Sequence, residues 1–462
     1  MNVLHAIHDF LPRHQAGSEI YAFELCRAQS ARHHVTLLCA EYDPARAHGL
    51  VVWRMHEGLP VVEIVNNWQG GTFESTYRSP RMGEQIEHLL GAIQPDVLHV
   101  HNLLNLTFDL PSLARARGIP VVATLHDYTL VCPSGGQRVH RAEAHVCRTI
   151  DTTRCARCFP QSPFQGQRAF GAMSRDGRRQ GALYRAAVGV RKRAPWLFSQ
   201  VARAVQRGAV PSLTESDIAA RLAAAKRVFD DVDLFVAPSQ SMADEFTRLG
   251  VPASKMRVSD YGFAPLDTLG ATPPRDSRAP LRIGYAGTLV WHKGVHVLLD
   301  AVRRLPAGSF DVALFGSVDV FPDYVASLRA QARDLPVRFM GGFRREDAAD
   351  VYARMDVLVV PSLWLENSPL VIHEAFMAGV PVVGARMGGI AELVTDGVNG
   401  LTYDASSPGD LADALRRLID RPDRLDEFRR ALPAVKTIDQ DVREWESVYS
   451  DVVAKRPPGR TA

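Results

Sequence analysis

Short β-branched runs bounded by turns alternate along this chain with stretches of helical periodicity. NVLHAI near the start and HVTLLCA at 34–40 flank a helical EIYAFELCRAQSA, and VLHV at 97–100, VVATL at 121–125 and LFVAP at 234–238 follow. These runs are apolar throughout rather than alternating, which marks strands covered on both faces, and strands that alternate with helices form a parallel sheet. A polar, Pro-rich stretch, GATPPRDSRAP at 270–280, offers nothing to a core and reads as a linker. The pattern then restarts with LRIGYAG, VALFG, VRFMG, DVLVVPS and PVVGA. The expected architecture is α/β: two tandem Rossmann-like, doubly wound domains over 1–268 and 281–435, a linker at 269–280, and a cleft between the domains. An insertion is expected at about 132–230, and a final helix in 436–462 is expected to cross back to the first domain. In such sheets ligands bind beyond the carboxyl ends of the strands, so the loops after strands are where chemistry is sought.

Composition narrows the class. A chain of 462 residues exceeds one ordinary core. Its 46% hydrophobic and 23% charged content is that of a globular protein, and a net charge of +3 does not call for nucleic acid. No apolar run is long enough to span a bilayer, and MNVLHAIHDF reads as a first strand rather than a signal peptide. The expected compartment is the cytoplasm, where clustered cysteines are more often metal ligands than disulfides.

Two loops of the second half carry candidate chemistry. Gly287 ends one strand run, and Lys293-Gly294 opens the helix after it. A lysine beside free helix N–H groups suits a phosphate, although a plain strand-to-helix turn with a solvated lysine has the same appearance. The second loop lies in PSLWLENSPLVIHEAFMAGVPVVGARMGG. Here Ser368 is the expected N-cap, Pro369 the first helical residue and Gly379 the stop, which puts Glu366 before the helix and Glu374 inside it. A carboxylate among such apolar neighbours needs hydrogen-bond donors, for which ribose or sugar hydroxyls are suitable.

The spacing Glu366-x7-Glu374, followed by AFMAGVPVVGARMGGIAELVTDGVNGL, resembles family-four retaining glycosyltransferases of the two-Rossmann-domain (GT-B) architecture. The resemblance is strong from about 281 to 405 and looser before. It implies transfer of a sugar from a nucleoside-diphosphate sugar, with a uridine or guanosine base, to a glycan, lipid-linked or small-molecule acceptor. By position Glu374 would hold the ribose, Glu366 the donor sugar and Lys293 the diphosphate. The backbone at Leu370 would help cradle the diphosphate, and Gly341, Gly342 and Phe343 would lie near the base. Many members carry an arginine where this chain has Thr288. The family's Gly-Gly turn is here Ala16-Gly17-Ser18-Glu19, so Gly17 would approach the donor phosphate. The resemblance also implies that the departing diphosphate accepts the acceptor's proton, so that no catalytic divalent metal is expected. Nucleotide-sugar epimerases and phosphorylases of the same fold are the nearest rival reading.

In the first half, His126 ends the strand VVATL. A histidine there can simply satisfy a backbone carbonyl; the resemblance implies that it faces the donor sugar. Behind it lie Cys132, Cys147, Cys155 and Cys158, spaced C-x14-C-x7-C-x2-C. The terminal C-x2-C is a chelating pair, and the four residues fit a structural zinc site, free thiols, a disulfide pair or an iron–sulfur cluster. Cys26 and Cys39 read as core. Residues 168–207 hold ten Arg or Lys and one acid, with interleaved aromatics. Such a segment fits peripheral contact with an anionic membrane as well as it fits a solvated helix. Together with the cysteines it raises a zinc-containing nucleic-acid-binding protein as the rival from another class, but no nucleic-acid motif accompanies it. The Asp-x-Asp pairs at 231–233 and 439–441 read as solvated helix ends.

Overall fold

The computed structural model describes residues 1–140, 143–162, 164–173, 186, 211–266 and 279–455. The chain divides into two compact units. One comprises Met1–Ala237, Ala243–Ser259 and Ile438–Ala462, the other Pro238–Met242 and Asp260–Thr437. The second unit thus begins before the 268 boundary expected from the sequence, and most of the Pro-rich linker lies outside the described residues.

The sheet of the first unit has eight strands: β1 (Asn2–Ile7), β2 (His34–Glu41), β3 (Val51–His56), β4 (Leu59–Val65), β5 (Val97–Val100), β6 (Val121–Thr124), β9 (Leu234–Ala237) and β10 (Met256–Val258). They lie in the order β10-β9-β6-β5-β1-β2-β4-β3, all pairs parallel except β3 with β4. The β3–β4 hairpin escaped the sequence reading because its turn is Glu57-Gly58. Both residues have positive φ (46° and 83°), as a type I′ turn demands, but Glu is not the residue that usually signals one. The helix Glu215–Asp231 runs between β6 and β9, which pair in parallel, so it is the crossover of the sheet. It therefore does not belong to an insertion ending near 230. The segment before it carries a small hairpin of β7 (Val139–His140) and β8 (His145–Val146) and the helix Thr152–Cys158. The final helix, Ile438–Ala454, belongs to this unit: Asp441 accepts from the Tyr21 hydroxyl at 2.8 Å, and the Trp445 indole donates to the same oxygen at 3.1 Å.

The second unit holds six parallel strands: β11 (Leu281–Ala286), β12 (Phe310–Phe315), β13 (Val337–Gly341), β14 (Val357–Val360), β15 (Val382–Ala385) and β16 (Gly400–Tyr403). Their order is β13-β12-β11-β14-β15-β16. Strand order reverses between β11 and β14, the place where such a sheet opens a ligand crevice. Leu358 and Val382 pack with Tyr352, Ile372 and Ala375 to form the core beneath that point.

Three sequence expectations are corrected. The helix over Glu374 is Leu370–Met377 with Pro369 at its N-cap; the Ser368 hydroxyl instead bonds His373 Nε2 at 2.8 Å, a partner invisible in the one-dimensional pattern. Of the Asp-x-Asp residues, Asp441 is buried against Tyr21 rather than solvated; Asp231, Asp233 and Asp439 keep solvent exposure, and Asp233 also accepts from the Val121 N–H at 2.8 Å. Of the basic stretch, 174–185 and 187–210 lie outside the described residues. Its first arginine, Arg168, is buried and donates to the Gly71 carbonyl at 2.9 Å, so it faces no membrane. Among the described residues no helix is long and apolar enough to cross a membrane.

Gly294 fixes the turn that carries Lys293. Its φ is 72°, and a Cβ there would lie 1.8 Å from the Pro361 carbonyl oxygen. Gly294→Ala is expected to cost on the order of 2 kcal/mol or more, through left-handed strain and overlap with backbone that cannot retreat. Urea denaturation measures it; a loss below about 0.5 kcal/mol, the scale of an ordinary surface substitution, would show that the turn is not held against Pro361.

Candidate active site

In the second unit β11 runs into Gly287, a short 3₁₀ turn at Trp291–Lys293, and the helix Val295–Val302. The loop after β14 lies beside this turn, because the Leu363 N–H donates to the His292 carbonyl at 2.8 Å. Two residues that the resemblance assigned to different parts of a donor thereby meet. Lys293 Nζ is 2.6 Å from Glu366 Oε1, and the Ser362 hydroxyl donates to that same oxygen at 2.6 Å. Glu366 is 3% exposed, while Lys293 keeps 27% of its side chain in solvent and lies over the Trp364 ring. The loop is clamped from behind: the Gly389 N–H donates to the Glu366 carbonyl at 2.8 Å, and a Cβ on Gly389 would fall 1.7 Å from the Asn367 carbonyl oxygen.

Glu374 follows on the next helix, where Oε2 accepts from the Tyr352 hydroxyl at 2.7 Å. Burial raises its pKa, against the opposing pull of Tyr352 and of the Arg345 charge. Leu370 opens this helix. Gly341 ends β13 with a φ of 82°, and its carbonyl accepts from the Gly316 N–H. Gly342 follows beside Ser317, and Phe343 packs edge-on to Phe315. Thr288 offers no cation; its carbonyl accepts from the Tyr285 hydroxyl at 2.8 Å.

Gly17 and His126 belong to the first unit. Gly17 is the first residue of the helix Gly17–Gln29, and Glu19 in its first turn lies 3.5 Å from His8 Nε2, just beyond β1. His126 is buried beyond β6, and its Nε2 is 3.0 Å from His101 Nδ1. His101 Nε2 is in turn 2.9 Å from His5 Nδ1, and His5 Nε2 is 2.8 Å from Gln29 Oε1. Beside this row, His99 bonds the Tyr449 hydroxyl at 2.7 Å and Thr124 Oγ1 at 2.8 Å. The sequence reading missed His5, His99 and His101. The signal was present, since residues two apart on a strand share a face, and His99 and His101 straddle one strand end.

The ligand atoms of His5, His99 and His101 lie within 4.8 Å of one another, a spacing that could suit a metal ion. Their hydrogen bonds favour another account. Both ring nitrogens of His5, His99 and His101 already have partners at 2.7–3.0 Å. An N···N contact of 2.9 Å is an N–H···N bond in which one ring donates and the other accepts. The Gln29 amide donates through Nε2 to the Tyr449 hydroxyl and so turns its oxygen toward His5. His5 then donates from Nε2, His101 donates from Nε2 to His5, and His126 donates from Nε2 to His101, each ring neutral. Burial lowers His5 to about 4 and His126 to about 3, with His99 and His101 also well below the ordinary value. The relay fixes the tautomer of His126 and leaves its Nδ1 as the acceptor atom.

The four cysteines surround one cavity on the loop behind His126. Cys26 and Cys39 are core residues of the first unit.

Over almost its whole length the chain shares the fold of solved GT-B glycosyltransferases. It covers 99% of Anabaena HepE in complex with UDP and glucose with 97% of its own residues, at a TM-score of 0.62 and 16% identity. For the sucrose-phosphate synthase of Thermosynechococcus elongatus the figures are 99%, 98%, 0.65 and 16%. Two family profiles match in sequence, Glycosyltransferase Family 4 over 16–169 and Glycosyl transferases group 1 over 280–421. The chain belongs to the family-four glycosyltransferases. Among similar proteins are D-inositol 3-phosphate glycosyltransferase 2 of Catenulispora acidiphila, 33% identical over 45% of this chain and 53% of that one, and the glycogen synthase of Mycobacterium tuberculosis, 30% identical over 47% and 52%. The matched region spans about half the length of these curated relatives.

Two predictions follow from this geometry. Lys293→Ala leaves Glu366 almost wholly buried with its countercharge gone, an arrangement that typically costs about 3–5 kcal/mol. Lys293→Ala/Glu366→Gln removes the stranded charge and should recover most of that loss. If urea titration shows single and double variants equally destabilised, the pair does not act as a pair.

The second concerns pH. His5, His99, His101 and His126 are neutral in the fold, whereas the unfolded chain protonates near 6.5. Below that pH the unfolded chain binds more protons, so stability falls as pH falls, by up to about 1.4 kcal/mol per pH unit for each such histidine. His14 opposes this, because its hydrogen bond to Glu41 raises its pKa and adds stability at low pH. The net expectation is faster amide exchange in β1 and β5 at pH 5.5 than at 7.5, after correction for intrinsic rates. A pH-independent opening free energy would show that the imidazoles titrate normally.

Proposed function

We propose that the protein is a retaining glycosyltransferase that moves a sugar from a nucleoside-diphosphate sugar to a glycan, lipid-linked or small-molecule acceptor. The observation that carries this reading is the Lys293–Glu366 pair, 2.6 Å apart on loops after β11 and β14, within the segment matched by the group 1 glycosyltransferase profile. The diphosphate of a donor would compete with Glu366 for Nζ, releasing a carboxylate to accept hydrogen bonds from the sugar hydroxyls. Glu374, already accepting from one hydroxyl, would exchange or share that bond with the ribose. The helix N-terminus at Leu370 would face the diphosphate, and Gly341, Gly342 and Phe343 would border the base. Gly17 and His126 are assigned to the phosphate and the donor sugar respectively. Neighbours of the same fold solved with UDP, UDP-glucose or ADP support a nucleotide-sugar donor without choosing its base.

In the proposed reaction the acceptor oxygen attacks C1 on the face from which the diphosphate leaves. The C1–O bond to the acceptor forms as the C1–O bond to phosphate breaks, and the acceptor proton passes to a diphosphate oxygen. His126, with a pKa near 3, is too weak a base to take that proton, and its neutral ring is suited to holding a sugar hydroxyl. The protein's share is then orientation and charge stabilisation.

Glu374→Ala should weaken UDP-sugar binding about 10- to 100-fold, the loss of a charged hydrogen bond of roughly 1.5–3 kcal/mol. Isothermal titration with a panel of UDP- and GDP-sugars reads it, and proton NMR of the product gives the anomeric configuration. Wild-type protein that binds no nucleotide sugar would overturn the activity, and an inverted product would overturn retention alone.

A further inference from the structure

The loop between β6 and the crossover helix Glu215–Asp231 holds a feature that glycosyl transfer does not use. Cys132, Cys147, Cys155 and Cys158 all line one cavity of about 30 Å³. They reach it from three pieces of chain, and each piece is fixed. The Cys132 N–H donates to the Tyr128 carbonyl at 2.7 Å, and the Cys147 N–H at the end of β8 donates to the Arg138 carbonyl at 2.7 Å. Asp151 caps the helix Thr152–Cys158, on which Cys155 and Cys158, three residues apart, share a face. The rest of the wall is mainly apolar, including Val131, Val139 and Ile150.

Two further observations point to a ligand. Arg138 lines the same cavity and is 2% exposed; Glu245 pairs with its Nη1, but its Nη2 is buried without a hydrogen-bond partner. Buried N–H groups without partners are rare in native proteins, and thiolate sulfur is an acceptor for one. The hairpin and helix also have little core of their own, since β7 and β8 are two residues each. Units this small are usually held by a metal or by disulfides, and none of the four cysteines forms a disulfide.

We propose that Cys132, Cys147, Cys155 and Cys158 bind a single structural zinc ion as four thiolates, with Arg138 neutralising part of the resulting double negative charge. The four sulfurs do not form a group within 4.8 Å of one another as they stand, so binding would release thiol protons and draw the sulfurs together. The ion would tie down the loop that leaves His126, since Tyr128 accepts from Cys132 and itself donates to the Gly136 carbonyl.

The test is elemental analysis of the full chain purified without metal-affinity steps, joined to zinc-edge X-ray absorption. The expected result is about one zinc per chain with four sulfurs near 2.3 Å. Cys155→Ser and Cys158→Ser should each lower the zinc content. Should they fail to fold, zinc release from the wild-type chain by a thiol-blocking mercurial serves in their place. Iron with a visible absorption band, a shell containing nitrogen or oxygen, or a metal-free chain with four reactive thiols would each overturn the site. Titration of UDP-sugar binding reads the proposed function independently, because Lys293, Glu366 and Glu374 lie in the other unit.

Discussion

Histidines on the interior strands of a parallel sheet can be accommodated only as neutral rings with every nitrogen partnered. His5 and His99 have no exposed surface, and an imidazolium there would lose its hydration with no carboxylate to compensate. The chain meets this constraint by joining the rings to one another and to groups from elsewhere. Gln29 comes from the first helix and Tyr449 from the last, and the two are themselves bonded at 3.2 Å. The terminal helix is thus part of the solution to burying β1 and β5. A change in its seating would reach His126 through Tyr449, Gln29, His5 and His101, each by a hydrogen bond rather than by general softness.

The surroundings of His126 in the first unit and of Glu366 in the second handle buried polarity in opposite ways. In the first, the groups nearest His126 stay neutral. In the second, Glu366 is kept as an ion partner of Lys293, a pair whose desolvation cost is offset by Ser362 and by the remaining solvent access of the lysine. Under the proposed function this ion pair would limit the electrostatic gain from a diphosphate, because Nζ would exchange one anion for another. It also keeps Glu366 from being buried alone. Thr288 adds no cation to this turn, so under the proposed function the exchange at Lys293 would bear directly on donor affinity.

How much of this was legible in the sequence depends on whether a residue's role is local. Lys293 and Gly294 follow a strand by a fixed number of positions, and Glu366 and Glu374 bracket a helix start; these patterns lie within one stretch of chain. The strand runs were equally plain where both faces are buried. β3 was hidden by its partly exposed, mixed composition and by a Glu-Gly turn. The relay was hidden for a different reason. Its members come from positions 5, 29, 101, 126 and 449, and only the sheet order, which sets β1 beside β5 and β5 beside β6, makes them neighbours. Ser368 failed as a cap for the same reason, because its competing partner His373 is a turn of helix away and also faces Asp260.

The low basicity of His126 constrains the chemistry beyond the choice of proton acceptor. A ring near pKa 3 at the end of a tautomer-fixed row has one acceptor atom, Nδ1, with its proton committed toward His101. Under the proposed function a sugar hydroxyl would donate to this atom, whereas donation from the ring to an oxygen there would require reversing the polarity of every ring back to Gln29. That reversal would turn the Gln29 amide against Tyr449. The row therefore works as a filter on orientation: it favours a hydroxyl as donor at that point and disfavours a carboxylate or carbonyl oxygen. For the proposed reaction this selects a donor sugar bearing a free hydroxyl at the contacted carbon, a preference set by hydrogen-bond direction rather than by the size of the pocket.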